Sequence, residues 1–579
     1  MKYTAGGVKE AYDRADYSLI FLMTEQTAHS TKTLQPDQPV SRYFVVAVII
    51  TALLLLWFSA GDHSLYPPDE GRYGSVSLHM AQGGSWLVPV FEGHIHLTKP
   101  PLIYWLQALS IRVLGRTELA VRLPGLIASS FLILLLFRFA RKQAGTRVAL
   151  MAVAGLAVTP MFVLVSRLAV IDPLLDLFWF GVIAFGYQAI TDTNRSTKYT
   201  LLMWISLAIG LFAKGPVALL PVGVLMIWVL LSETNSWKHC WKLWVGIPVA
   251  FIPLAVWAIL VMKIHPDAWE VWKHELLDRT AGTGAHNKPI WFYIPILFAG
   301  FFPISALMPV PAWNVSLRYV WSQLRRGSLE SLLYLAVFIP FLFFSMIPGK
   351  LMTYLMPMGP LLAILVALYL RDVTVGANQP ERSAGRWFKR KPCSIRMLAV
   401  GVSALAIITV IIAYEVNSEY LWMTIPFIIA AVLSAILSVV WRRKASGCWG
   451  VLILLWIGAS GLWLCIEESE DILLAQVGAR QFVHRVQELE TNPGEIATFG
   501  FNDPTMSFYL NQEIPEYSDS NEIVRTVMDQ SRDDLLLIAG ISRWDRLQRD
   551  HPETASRFIK LDTALASRNR TVYILKLRK

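Results

Sequence analysis

The chain has 579 residues, 55% of them hydrophobic and only 16% charged, with a formal net charge of +10. A soluble domain carries roughly 25% charged residues, so this composition excludes an ordinary globular protein, a disordered chain, collagen and a coiled coil. A mean hydropathy of +0.47 in long apolar runs, without alternating strands, points to a polytopic helical membrane protein and excludes a barrel.

The first 42 residues are polar and mixed, with no cleavable signal peptide, and Met23 is a second candidate start. A crossing needs about 20 apolar residues. Thirteen spans are predicted, at 43–60, 119–137, 148–165, 173–190, 200–213, 216–232, 243–262, 290–310, 331–347, 351–370, 397–414, 420–440 and 448–465. The run 101–114 is too short for an easy span; it is a juxtamembrane helix or the first half of a long second helix.

Basic residues crowd loop 138–147 (Arg138, Arg141, Lys142, Arg147), loop 311–330 (Arg318, Arg325, Arg326), loop 371–396 and the turn 441–447. With the N-terminus inside and thirteen crossings, all four fall on one face, which the positive-inside rule makes cytoplasmic. Those loops also account for the net charge, so no nucleic-acid partner is implied. The other face receives 61–100, 166–172, 214–215, 263–289, 348–350, 415–419 and the tail. In the tail, charges return, and strand-like EIATFGF and DDLLLIAG alternate with helical ARQFVHRVQELE. The expected organisation is a cytoplasmic segment 1–42, a transmembrane domain 43–465 and a periplasmic α/β domain 466–579.

Loop 61–100 is dense in ionisable groups for a membrane surface: adjacent Asp69 and Glu70, then Arg72 and Tyr73, and later Lys99 before two prolines. Such a set suits acid–base or charge-stabilising chemistry at the interface, against the alternative of a solvated turn. Glu70 either supports Asp69 or pairs with Arg72. Asp172, at a span entrance, either pairs with Arg167 or faces a wet cavity. His94, His96, His274, Glu275 and His286 are of zinc-binding type but split between two loops. A divalent ion is therefore left open beside surface or acceptor-binding histidines, and no cofactor is required. The four cysteines form no CxxC pair, so neither a zinc cluster nor a disulfide framework is indicated. No GxGxxG or Walker pattern supports a nucleotide partner.

PPDEGRYG after the first span, TKPPL, ELAVRLPG, SRLAVIDPLLDLF, FAKGP and SMIPGKLMTYLMPMGP together resemble the polyprenyl-phosphate-dependent glycosyltransferases of the GT-C class, in the bacterial branch related to protein O-mannosyltransferases. Within that branch the arrangement, soluble tail included, is most similar to the lipid A aminoarabinose transferases. The resemblance covers residues 43–465. It implies an enzyme of the bacterial inner membrane, with its active site facing the periplasm. The donor is a sugar on undecaprenyl phosphate, the acceptor a phosphate of lipid A, and the transfer inverting. Asp69 matches the class's first-loop aspartate and is expected to be essential. Lys99, Lys214, Arg279 and Tyr354 are candidates for holding the donor phosphate, with Lys350 a further possibility. Glu70, Arg72, Tyr73, Asp172 and His274 are expected to support the site. Snorkelling is the bland alternative for Lys214. Two rival functions remain: a related transferase with another acceptor, such as a protein O-mannosyltransferase-like enzyme, and a lipid-sugar transporter or flippase.

Overall fold

The computed structural model describes residues 40–232, 240–281, 287–307, 324–378, 424–440, 478–489, 495–501, 503–528, 535–566 and 570–578, with a few isolated positions between them. The first span, α1 (Arg42–Trp57), is apolar on every side. Val48, Ala52 and Leu56 pack inward while Val46, Ile50 and Leu54 stay exposed, as a lipid-facing helix requires. Next come α2 (Asp69–Ala81), a hairpin β1–β2 (Val90–Phe91, His94–Ile95) and α3 (Leu102–Leu114). Gly115, at φ +77°, ends α3, so the 101–114 run is a separate short helix and not the start of the next span.

That span is α4 (Glu118–Ala144), 27 residues or about 40 Å long. Thr117 caps it by accepting from the Ala120 N–H, and Arg141 and Lys142 complement its C-terminal dipole. The predicted span 148–165 is broken into α5 (Thr146–Leu156) and α6 (Pro160–Arg167), which meet at 65°. Pro160 has no N–H to give the preceding turn, and Thr159 Oγ1 bonds back to the Leu156 carbonyl at 2.8 Å.

Next follow α7 (Asp172–Thr191), α8 (Ser196–Lys214) and α9 (Leu220–Leu231). The stretch from 193 to 231 is continuous helix in outline but folds back at Gly215, where φ is +77°. A Cβ at Gly186 would meet Leu225 at 2.3 Å and Met203 at 3.2 Å. A straight helix would hold those two partners about 33 Å apart, so the chain reverses between α8 and α9 and both pack against α7. The remaining described helices of the bundle are α10 (Cys240–Ile264), α11 (Ala268–Ala281), α12 (Tyr293–Gly300), α13 (Leu329–Met346), α14 (Gly359–Asn378) and α15 (Ile425–Val440). Among the described residues, six stretches are long and apolar enough to cross a membrane, or seven if the bent pair counts as one. The chain is a multi-pass membrane protein. Runs 397–414 and 448–465 lie almost wholly outside the described residues.

Contacts sort the helix ends. Arg167, closing α6, donates to the carbonyls of Leu55, Leu56 and Phe58 at the end of α1. Lys214, closing α8, reaches Asp172, which opens α7. Tyr293, opening α12, donates to the Leu351 carbonyl, which precedes the 3-10 helix Met352–Met358 that leads into α14. The segments 61–100, 166–172, 214–215, 287–289 and 348–350 therefore gather at one end of the bundle. The other end is tied by Lys142 to Asp192 at 2.7 Å.

The tail residues form a five-stranded sheet of β3 (Glu495–Phe499), β4 (Glu516–Tyr517), β5 (Leu535–Gly540), β6 (Phe558–Ala566) and β7 (Arg570–Leu577), in the order β4-β3-β5-β7-β6. Strands β4, β3 and β5 are parallel; β7 runs antiparallel to β5 and β6. The two-residue pleat sends alternate side chains to opposite faces. Ala497, Phe499, Leu535 and Leu537 pack with α18 (Ser520–Met528) and α19 (Ile541–Asp550). Ile496, Leu536 and Ile538 pack with α16 (Ala479–Leu489) and Met506 of α17 (Pro504–Leu510).

Candidate active site

Helix α2 begins at Asp69 and carries Asp69 and Glu70 in its first turn, where carboxylates complement the helix dipole. Adjacent helical residues point about 100° apart, and these two meet opposite environments. Glu70 is 1% exposed. It accepts from Arg122 Nε at 2.9 Å and Nη2 at 2.8 Å, from the Tyr66 N–H at 2.7 Å and from the Ala169 N–H at 2.6 Å. Arg122, itself buried, also donates to the carbonyls of Ala60, His63 and Ser64. The partner of Glu70 is thus Arg122, not Arg72, and the pair clamps the first loop to α4. Asp69 has 62% of its side chain exposed, and its ion pair is with Arg72 at 3.7 Å.

One turn on, the Tyr73 ring packs at 5.4 Å on Tyr104 of α3. Burial pushes the Tyr73 phenol well up, with Tyr104, Asp172 and Asp69 adding to the shift and Arg72 opposing it. It therefore stays a neutral donor, placed where it feels both aspartates. Tyr104 neighbours Thr98, whose hydroxyl lies 2.9 Å from His96 Nε2. Lys99 Nζ donates to the Thr98 carbonyl at 3.0 Å. Lys99 and Asp69 therefore belong to the same end of the molecule.

Asp172 opens α7 and is 8% exposed. Lys214 Nζ sits 2.6 Å from its Oδ1, both side chains being 11% exposed, and 5.2 Å over the Tyr354 ring. Lys214 is thus a buried, paired cation at a helix C-terminus, not a snorkelling one. The ion pair at Asp172 is with Lys214; Arg167 instead caps α1 with its guanidinium. Tyr354 leans on Phe344 at 5.1 Å. Lys350 is 3% exposed and donates to the carbonyls of Lys288 at 3.1 Å and Ile347 at 2.5 Å; burial lowers its pKa.

Trp257 and Trp272 donate to the carbonyls of Leu87 and Leu97, both at 2.9 Å, and so hold α10 and α11 over the first loop. The backbone of Arg279 lies in α11, but its side chain falls outside the described residues, as does His286. His274 on α11 and His94 on β2 are exposed, and His96 packs edge-on against Phe91 and Tyr104. Among the described residues no three His, Cys, Asp or Glu side chains converge as a metal site would need.

Neither Arg122 nor Asp176 is marked as a site residue by the sequence motifs. Asp176 is 0% exposed, one turn beyond Asp172, and neither carboxyl oxygen has a hydrogen-bond partner among the described residues. An ionisable residue inside an apolar helix was the available signal.

Residues 98–259 match the family described as dolichyl-phosphate-mannose-protein mannosyltransferase. The fold is shared with the crystal structure of ArnT from Cupriavidus metallidurans bound to undecaprenyl phosphate, at a TM-score of 0.69 and 18% identity, over 93% of this chain and 98% of that one. In sequence, the chain is 30% identical over 371 residues to the undecaprenyl phosphate-alpha-4-amino-4-deoxy-L-arabinose arabinosyl transferase of Pectobacterium carotovorum, over 63% of this chain and 65% of that protein. The enzyme of the same name from Pseudomonas aeruginosa (strain UCBPP-PA14) is 33% identical over 321 residues, 53% of this chain and 55% of the relative. The chain thus spans just under two thirds of the first relative's length. These matches bear out the resemblance seen in the sequence motifs.

Proposed function

We propose that the chain is a glycosyltransferase that moves 4-amino-4-deoxy-L-arabinose from undecaprenyl phosphate to a phosphate of lipid A, at the periplasmic face of the bacterial inner membrane. The observation that carries this reading is the convergence of Asp69, Tyr73, Asp172, Lys214 and Tyr354 at one end of the bundle, where the headgroups of two lipids can meet while their tails stay in hydrocarbon. The basic loops 138–147, 311–330, 371–396 and 441–447 support placing that end outside the cytoplasm. Thirteen spans, a catalytic domain over 43–465 and a periplasmic tail over 466–579 belong to the same reading.

In the reaction, an oxygen of the acceptor phosphate attacks the anomeric carbon as the bond to the donor phosphate breaks. The bonding electrons leave with undecaprenyl phosphate, and the configuration inverts. Negative charge grows on the leaving phosphate, and fixed cations stabilise it. Lys214, held at Asp172 over the Tyr354 ring, is placed to turn to that phosphate. Lys99, Lys350, Arg279 and the Tyr354 hydroxyl are further contacts for it. The attacking phosphate is already anionic and needs no proton removed, so Asp69 serves to orient the acceptor and balance positive charge on the sugar. Arg72, Tyr73 and His274 line the approach. A cationic sugar on lipid A masks its phosphate, which predicts weaker binding of cationic antimicrobial peptides.

The test is mass spectrometry of lipid A from cells that make the donor, with and without the gene. The aminoarabinose adduct is expected only with it, and an unchanged profile would reject the substrate assignment.

A further inference from the structure

The helix carrying Asp69 is held from two sides. Inside, Glu70 is locked to Arg122. Outside, α17 of the tail lies along α2. A Cβ at Gly71 would come 2.4 Å from the Thr505 backbone nitrogen, so a glycine is needed there for this approach, and one at Gly74 would crowd the Phe508 ring at 3.1 Å. Ser75 donates to the Pro504 carbonyl at 3.2 Å, and Gln82 to Asn511 at 2.6 Å. Ser507 donates to Glu92 at the hairpin tip at 3.0 Å.

The central tie is Tyr509. Its hydroxyl accepts from the Leu65 N–H at 2.7 Å and donates to Glu118 Oε1 at 2.9 Å. Leu65 lies four residues before Asp69, and Glu118 opens the helix that carries Arg122. Arg480 of α16 donates to the same Glu118 oxygen at 2.8 Å. One phenol therefore joins both anchor points of the Asp69 turn to a domain more than 380 residues away in sequence.

We infer that Tyr509 is a positioning residue: through Leu65 and Glu118 the tail sets where the turn bearing Asp69 stands. The inference deepens the proposed transfer and gives the tail a part in it. Reactions of this kind lose rate steeply when a reacting group is misplaced by about 1 Å. One hydrogen bond connects the phenol to the loop and a second connects it to the first turn of α4.

The experiment uses the full chain in lipid nanodiscs and compares wild type, Tyr509→Phe and a control, Tyr517→Phe, elsewhere in the tail. Amide hydrogen exchange of residues 65–81 is expected to quicken about tenfold in Tyr509→Phe and not in the control. Transfer from undecaprenyl-phosphate-linked aminoarabinose is expected to fall about tenfold in kcat, with the donor KM within about twofold. Glu118→Leu should reproduce both effects. Unchanged exchange across 65–81, or a rise in donor KM at unchanged kcat, would overturn the inference. The exchange measurement reads the brace whether or not the wild-type chain transfers this sugar, so its failure and that of the proposed reaction are told apart.

Discussion

Asp69 and Glu70 are neighbours in sequence but should fail in different ways, and Glu70→Gln shows why. Glu70 accepts four hydrogen bonds at 2.6–2.9 Å, two on each oxygen. A glutamine turns one oxygen into an amide N–H₂ that faces two donors, whichever way it flips. Arg122, 5% exposed, then loses the carboxylate that balances its charge. Breaking one side of a buried ion pair costs about 3–5 kcal/mol. Asp69 is 62% exposed and pairs with Arg72 at only 3.7 Å; such an ion pair contributes about 0–1 kcal/mol. Thermal unfolding in detergent should therefore show Glu70→Gln strongly destabilised and Asp69→Asn within about 0.5 kcal/mol of wild type. Asp69→Asn should nevertheless lose transfer. A double-mutant cycle between Glu70 and Arg122 is expected to give a coupling of about 3 kcal/mol. A coupling below about 0.5 kcal/mol, or Glu70→Gln unfolding with wild type, would refute the clamp.

Lys214→Met should weaken retention of undecaprenyl phosphate, and Tyr354→Phe should do so less, as read by a lipid-binding thermal shift. Burial raises the Glu92 carboxyl to about 7 from its ordinary 4.5, with Glu516 and Glu513 adding and Ser507 and Arg72 opposing. The folded state then holds this proton more tightly, so its contribution is complete below about 4.5 and is lost as pH rises through about 7. Protection factors of the amides in residues 504–510, which divide out the base-catalysed intrinsic rate, should be higher at pH 5 than at pH 8, and Glu92→Gln should flatten that dependence. Asp176→Leu removes a buried carboxyl that has no hydrogen-bond partner among the described residues and should raise the unfolding temperature, since an unsatisfied buried polar group costs roughly 1–3 kcal/mol.

What was legible in the sequence was local. A span is a run of apolar residues, and each run is its own signal, so most helices fall where the runs predict. The acidic first loop and the lysine of FAKGP stood out for the same reason: charge beside apolar sequence is expensive and visible. Even the fold-back after Lys214 was marked by Gly215 and Pro216. Only the tertiary structure decided the pairings. Glu70 meets Arg122 and not Arg72, and Asp172 meets Lys214 and not Arg167. These partners lie 52 and 42 residues apart, and no local periodicity joins them. The 65° break at Pro160 depends on how α5 and α6 pack, and the role of the tail on glycines in α2 that only matter once α17 lies against them. Apolar burial is additive along the chain and can be read from it, whereas a buried charge takes its meaning from whichever partner the fold brings within hydrogen-bonding distance.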